Sequence, residues 1–484
     1  MFDVIVIGAG VVGSAVARAL SATKLSVCVL EKEQDVACGA SRANSAIVHA
    51  GFDPEEGTLK ARLNVRGAEL MPALAKELGV PYCNNGSVVL AFDELQREHL
   101  EQLLQRGIAN GVPDLRIVER EELFQMEPNV NPQAVAALYA PSAGIVCPYQ
   151  LTIALMGNAM DNGAQLRCGF YVDEIHYTDG VFEVRGGGET VQARYIVNAA
   201  GTGCGRIAAM IGDTLTVIPK RGEYMLLDKT EGRMIRSTVF QVPSKEGKGV
   251  LVTPTVDGNL LTGPTSQEVF DADNTDTTAE GLAFVRHTAS LSVPSVRWGA
   301  VITSFAGVRA SLKESADFVI GFSENNGAFI EVAGIDSPGL SSAPAISEYI
   351  LELLKQVGED VSVRKDFMPE RRCIDFRHMS MEEKNAVIAQ DPRYGKIVCR
   401  CEQVTEGEIV QAIRLNPPAR SVDAVKRRTR AGMGRCQGAF CGVSVMELIA
   451  REAGIAIEEV TKNGGASGMV MGKVKQGGCE DGTV

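Results

Sequence analysis

What this 484-residue chain lacks already closes several classes of function. No apolar run approaches the ~20 residues that a membrane-spanning helix needs. The first apolar strand starts almost at Met1, which leaves no room for a signal peptide, so the expected location is cytoplasmic. Lys and Arg number 48 against 60 Asp and Glu, and the net charge of −12 argues against nucleic acid as a general partner. Histidine is scarce, at five residues, and no internal repeat stands out. Cysteine is plentiful. Twelve thiols without an export signal imply a reducing compartment, where clustered cysteines more often hold metal than form disulfides. At this length two to four structural units are expected.

What is present starts at the N-terminus. The run Val4-Ile5-Val6-Ile7 reads as a buried parallel strand. It leads into Gly8-x-Gly10-x-x-Gly13, a helical pattern, and a second strand that ends at Glu31. Gly8 allows the tight turn, Gly10 lets backbone approach a pyrophosphate, and Gly13 lets the helix sit close to the sheet. The helix start, with Val12, offers free N–H groups to phosphate, and Glu31, followed by Lys32, can accept from ribose hydroxyls. This context identifies a dinucleotide site.

Further nucleotide elements are scattered along the chain. Ser41, Asn44 and Ser45 lie in a small polar segment suited to a planar cofactor, followed by His49. Val172, then Ala200 and Gly201 after a buried strand, give later points of backbone approach. Gly334, Ile335, Pro338, Gly339, Leu340 and Ser341 open a helix whose N–H groups aim back at the sheet. A simple NAD domain would carry its fingerprint contiguously. Interleaving suits a large, permanently held cofactor.

The ordered motifs 44–51, 221–224, 262–265, 305–309 and 332–340 resemble the D-amino-acid-oxidase-like superfamily of FAD oxidoreductases, over roughly residues 2–360. Within it the chain is most similar to the glycerol-3-phosphate dehydrogenase and L-2-hydroxyglutarate dehydrogenase branch. The resemblance implies FAD and hydride transfer to the flavin, with His49 as the base. It also implies Arg309 as a catalytic arginine that holds the substrate anion, with Arg221 and Tyr224 on the substrate side.

Near the C-terminus stand Cys399-x-Cys401 and, after thirty-four intervening residues, Cys436-x4-Cys441. Four thiolates suit zinc or an iron–sulfur cluster. The flanking residues, 398–402 and 426–441, resemble a BFD-like [2Fe–2S] domain, which makes these cysteines ligands of a [2Fe–2S] cluster. The basic run 426–435 reads as a solvated face or one that docks an acidic partner.

The expected fold is α/β (α+β), in which an FAD-binding Rossmann-like domain (1–80, 145–218, 310–360) interleaves with a mainly β substrate domain (81–144, 219–309). A charged, irregular linker (361–395), a small α-helical [2Fe–2S] domain (396–458) and a flexible tail (459–484) follow. The expected activity is a dehydrogenase of a small anionic 2-hydroxy substrate, with glycerol 3-phosphate first. L-2-hydroxyglutarate and an amino acid or opine are rival donors, and a non-catalytic electron-transfer subunit is a reading from another class. A cluster beside a flavin implies a redox partner protein, a second flavoprotein or a quinone-linked subunit, in a hetero-oligomer, with no direct membrane span.

Overall fold

The β-branched run after Met1 becomes a central strand because both of its faces are buried, with Val4, Ile5 and Val6 fully enclosed. The computed structural model describes residues 1–242, 249–371 and 373–472. The elements that frame the site are, in chain order, β1 (Phe2–Ile7), α1 (Val11–Ser21), β2 (Val27–Glu31), α2 (Leu59–Leu78), β3 (Glu189–Asn198), β4 (Val217–Leu227), β5 (Val301–Leu312), β6 (Phe329–Ala333) and α3 (Gly339–Gln356). Two compact units divide the chain, Met1–Arg372 and Cys373–Val484.

In the first unit, β1 lies parallel to β2 and to β3 within an eight-stranded sheet, and β6 runs parallel to β3. The register pairs Ile7 with Asn198, and Asn198 with Glu331. The carboxyl ends of three strands therefore stop side by side, which is where an open parallel sheet places its ligands. Apolar residues of α1, α2, α3 and the helix Pro148–Asp161 cover one face, and the strands Glu174–Thr178 and Val181–Gly186 contribute to covering the other.

A nine-stranded sheet forms the second layer. Its spine is the antiparallel pair β4 and β5, in register from Val217↔Leu312 to Leu226↔Thr303. Strands from residues 87–140 join it through a parallel pairing of Ser87–Ala91 with Thr238–Gln241.

Two expectations are corrected here. The stretch 361–395 is not an irregular linker. Arg364 is tied to the first unit by bonds to Ala22, Ser21 and Asn162. Within the second unit, Met381–Gln390 forms a helix whose start is closed by a reciprocal Ser380–Glu383 capping box. The tail is also partly built. Val460 is fully buried in the core of the second unit, and Thr461 bridges to Ser421 and Gly468. The rest of that tail, 473–484, lies outside the described residues. Helices Glu406–Arg414, Val422–Thr429 and Gly442–Ala453 enclose this second core through Ile409, Ile413, Val425, Val445 and Ile449.

Candidate functional site

The glycine turn has the geometry a phosphate cradle needs. Gly8 takes φ +104°, and a Cβ there would lie 2.5 Å from the Ala199 carbonyl oxygen. A Cβ on Gly13 would overlap the Gly8 carbonyl, so α1 packs against the turn only with glycine. The Val11 N–H donates to Ser41 Oγ at 2.8 Å, which ties the 38–45 segment to the helix start. The Val12 and Gly13 N–H groups have no acceptor among the described residues and remain for phosphate.

Glu31 is buried, with Oε2 accepting from Ala9 N–H at 2.7 Å and Oε1 from Glu33 N–H at 2.9 Å. Burial pushes its carboxyl up, and the two N–H bonds oppose that. Each oxygen keeps a second lone pair for a ribose hydroxyl. Lys32, by contrast, is committed to Asp273 at 3.0 Å. Val172 is buried, and its carbonyl accepts from Arg206. Ala200 and Gly201 flank the cradle, with Ala200 Cα 3.1 Å from the position of a Gly8 Cβ.

The opposite end is built by two loops. Asn44 shapes the first, donating to Ala40 and Ser41 carbonyls and accepting from Ala46 N–H, where φ is +62°. Gly334, at φ +70°, starts the second, which runs past Ile335 and Pro338 into Gly339. At the α3 start the Leu340 and Ser341 N–H groups have no acceptor among the described residues. The Ser341 hydroxyl is already engaged, accepting from His49 N–H at 2.8 Å and facing Ile47 O at 3.2 Å.

One face of the β4–β5 ribbon closes over these loops. Tyr224 stacks on Phe305 at 4.9 Å and meets Ser45 Oγ at 3.4 Å. A Cβ on Gly307 would overlap the Ala43 carbonyl, and Ser311 donates to Asp336 in the second loop at 2.8 Å. Arg309 lies between those contacts, with Lys220 opposite it across the strands. Its Nη2 donates to Thr265 O at 2.8 Å, while its Nε is buried with no partner among the described residues. Burial pushes the Tyr224 phenol up, against the opposing influence of the Arg309 charge, so it stays a neutral donor.

Arg221 does not join this face. It sits three residues from Tyr224, so the strand turns it to the other side. There it pairs with Glu223 at 3.2 Å and bonds Gln267 and Asn274. The sequence reading gave Thr265 no role beyond its place in the 262–265 motif, and it missed Asn64, a fully buried asparagine on α2 that donates to His49 O at 2.5 Å.

In the second unit the four cysteines form two pairs. Cys401 and Cys436 sulfurs are 3.6 Å apart at the surface, and the buried Cys399 and Cys441 are hydrogen-bonded to each other. Two thiols on a tetrahedral ion at ~2.3 Å stand a little under 4 Å apart, so the 3.6 Å Cys401–Cys436 gap is one that a shared metal ion would span. The Cys441 bond holds the Cys399 thiol below the usual thiol range, with backbone N–H groups of Gly432 and Glu402 adding to the effect. Phe440 and Gly438 N–H groups point at Cys436. A Cβ on Gly434 would overlap Cys401, so the loop wraps the sulfurs closely. These residues fit a [2Fe–2S] cluster. The basic run beside them is largely turned inward rather than forming a solvated face. Arg427 and Arg430 are buried, the latter paired with Glu402 at 2.8 Å, and Arg428 donates to Pro417 and Ala424 carbonyls.

Comparison with known proteins agrees with both halves of this geometry. Residues 3–353 match the FAD dependent oxidoreductase family, DAO, and residues 397–451 match the BFD-like [2Fe-2S] binding domain. A glycerol 3-phosphate dehydrogenase of Caloramator mitchellensis is 46% identical over 98% of this chain and 99% of its own. An L-2-hydroxyglutarate dehydrogenase of Homo sapiens is 30% identical over 56% of this chain and 62% of its own. The FAD-bound L-alpha-glycerophosphate oxidase of Mycoplasma pneumoniae superposes with a TM-score of 0.73 at 32% identity, covering 77% of this chain and 99% of that one. No described helix is long and apolar enough to cross a membrane. The chain belongs to the DAO family of FAD-dependent oxidoreductases, as a flavoenzyme that also carries a C-terminal BFD-like [2Fe–2S] domain.

Proposed function

We propose that this enzyme oxidises glycerol 3-phosphate to dihydroxyacetone phosphate and passes the electrons through its cluster to a partner protein, a second flavoprotein or a quinone-linked subunit. The observation that carries the substrate side is Arg309. A buried guanidinium N–H with no partner among the described residues is costly unless a ligand anion completes it. Its position on the strand between Gly307, packed on the 40–49 loop, and Ser311, bonded to the 334–339 loop, supports an anion held at the flavin end of the site. The Caloramator relative, matched along nearly the whole chain, favours the phosphate over 2-hydroxyglutarate as the anion.

When bound, FAD supplies a two-electron acceptor and the cluster a one-electron relay. The chain's own residues do the rest. Arg309 anchors the anion, Tyr224 donates from the same face, and His49 takes the hydroxyl proton as the donor carbon loses hydride. The Leu340 and Ser341 N–H groups at the α3 start favour the negative charge that a reduced flavin carries. The match to the Mycoplasma oxidase takes in 99% of that chain with 77% of this one. An oxidase that delivers electrons to O₂ needs no further relay, so the additional cysteine-bearing unit supports a protein acceptor. His49→Ala is expected to slow anaerobic flavin reduction by glycerol 3-phosphate at least about tenfold. Near-normal reduction in that variant removes His49 from the reaction.

A further inference from the structure

We infer that Asn64 is a positioning residue that fixes the aim of His49, a reading that rests on the assignment of His49 as the base. The short strand Ile47–Val48 pairs with Gly144–Val146 and ends immediately before His49, so the sheet no longer serves the His49 peptide groups. Two helices serve them instead. The His49 N–H donates to Ser341 Oγ in the first turn of α3 at 2.8 Å. The His49 carbonyl accepts from Asn64 Nδ2 on α2 at 2.5 Å. Holding the amide on both sides of one Cα sets φ and ψ there, and those angles select the rotamers open to the imidazole.

The jaws are themselves locked together. Asn64 and Gly67 are neighbours on one face of α2, one turn apart. A Cβ on Gly67 would overlap the Ser341 carbonyl oxygen, so α2 meets the α3 start in direct backbone contact. The helix start proposed to serve the flavin and the clamp proposed to serve the base thus form one rigid piece.

Stability alone gives no reason for an asparagine at this place. The buried face of α2 is otherwise Ala61, Leu63, Gly67, Ala68, Met71, Leu74, Ala75 and Leu78. Asn64 is fully enclosed among them, and its Oδ1 has no partner among the described residues. Half of its amide is therefore desolvated without return, and an apolar side chain of similar volume would fold at least as well. The amide makes sense as a device for the His49 carbonyl.

The test is Asn64→Leu in the full-length, FAD-loaded enzyme, with glycerol 3-phosphate mixed anaerobically in a stopped-flow instrument. Misplacing a reacting group by about 1 Å costs on the order of 10²-fold. The limiting rate of flavin reduction should therefore fall about 10- to 100-fold. The substrate dissociation constant, FAD content and melting temperature should stay close to those of the unaltered enzyme. Ser341→Ala, which opens the other jaw, should lower the same limiting rate, and the double variant should be little slower than the worse single one. A limiting rate within twofold in Asn64→Leu overturns the inference, as does a loss that only matches lost FAD. Should Asn64→Leu not fold, an unaltered limiting rate in Ser341→Ala overturns it. His49→Ala run alongside separates the two readings. If that variant is slow while Asn64→Leu is normal, the clamp alone fails; if it reduces normally, the base assignment fails first.

Discussion

Replacing Arg309 with methionine removes the cation proposed to anchor the substrate, whose buried Nε has no partner among the described residues. The side chain keeps its bulk, but Thr265 O loses its donor and the site loses its charge. Hydrogen bonds to charged groups contribute about 1.5–3 kcal/mol each, and a guanidinium offers two to a phosphate. The expected loss is therefore about 3–6 kcal/mol, or roughly 10²–10⁴ in the second-order rate of flavin reduction. Arg309→Lys keeps a charge yet cannot hold Thr265 and the anion with one planar fork, and should lose about 10- to 100-fold. Both are measured by anaerobic stopped-flow bleaching of the flavin across a range of glycerol 3-phosphate, with FAD content determined first. The loss should lie mainly in the half-saturating concentration, because an anchoring anion contact is made before the hydride moves. Methionine within about threefold of the unaltered rate refutes the placement, because a buried anion contact cannot be removed that cheaply.

Three further outcomes follow from the same geometry. Gly307→Ala drives a methyl into the Ala43 carbonyl and should push the β4–β5 face off the 40–49 loop. It should slow flavin reduction about tenfold or more while the Gly8–Gly13 cradle still holds FAD, and a rate equal to the unaltered enzyme's counts against this closure. Cys401→Ser should abolish the cluster's visible absorbance yet leave substrate bleaching of the flavin within about threefold, and loss of both signals together would refute two separable redox sites. Burial, with Asp213 nearby, pushes the Glu331 carboxyl up to about 7 against an ordinary 4.5, so the folded state binds the extra proton between those values. Stability should then fall as pH rises from about 4.5 to 7 by up to roughly 3 kcal/mol, and Glu331→Gln should flatten that slope in pH-dependent thermal melts. An unchanged slope would show that the carboxyl titrates normally.

Much of this site was readable from residue order, for reasons that are physical. Gly8 and Gly13 are demanded by backbone contacts that no other residue satisfies, so their spacing carries the cradle outright. Four cysteines with Gly432 and Gly434 before the last two and Gly438 between them announce a wrapped cluster in the same way. Arg221 was misplaced, although the signal against it was present. Residues 221 and 224 differ by an odd number, and a strand sends them to opposite faces. The helix Met381–Gln390 was also announced, by Ser380 and Glu383 at capping-box spacing, within a stretch whose charge suggested a linker. The inward turn of Arg427 and Arg430 was not legible, because their partners Glu402 and the helix core are supplied by tertiary packing. Nor was Asn64. A single polar residue on an apolar helix face acquires meaning only when the His49 carbonyl, fifteen residues earlier, folds back onto it.

The central claim is that glycerol 3-phosphate delivers electrons to the flavin of this chain and the cluster carries them onward. It is tested most directly by anaerobic titration of the purified, doubly loaded enzyme, followed by visible absorbance and by electron paramagnetic resonance of the reduced cluster. Glycerol 3-phosphate should bleach the flavin band near ~450 nm and raise the cluster signal in the same titration, whereas L-2-hydroxyglutarate and amino acids should do neither. Bleaching by one of those and not by glycerol 3-phosphate, or a flavin that bleaches while the cluster stays oxidised, would contradict the account.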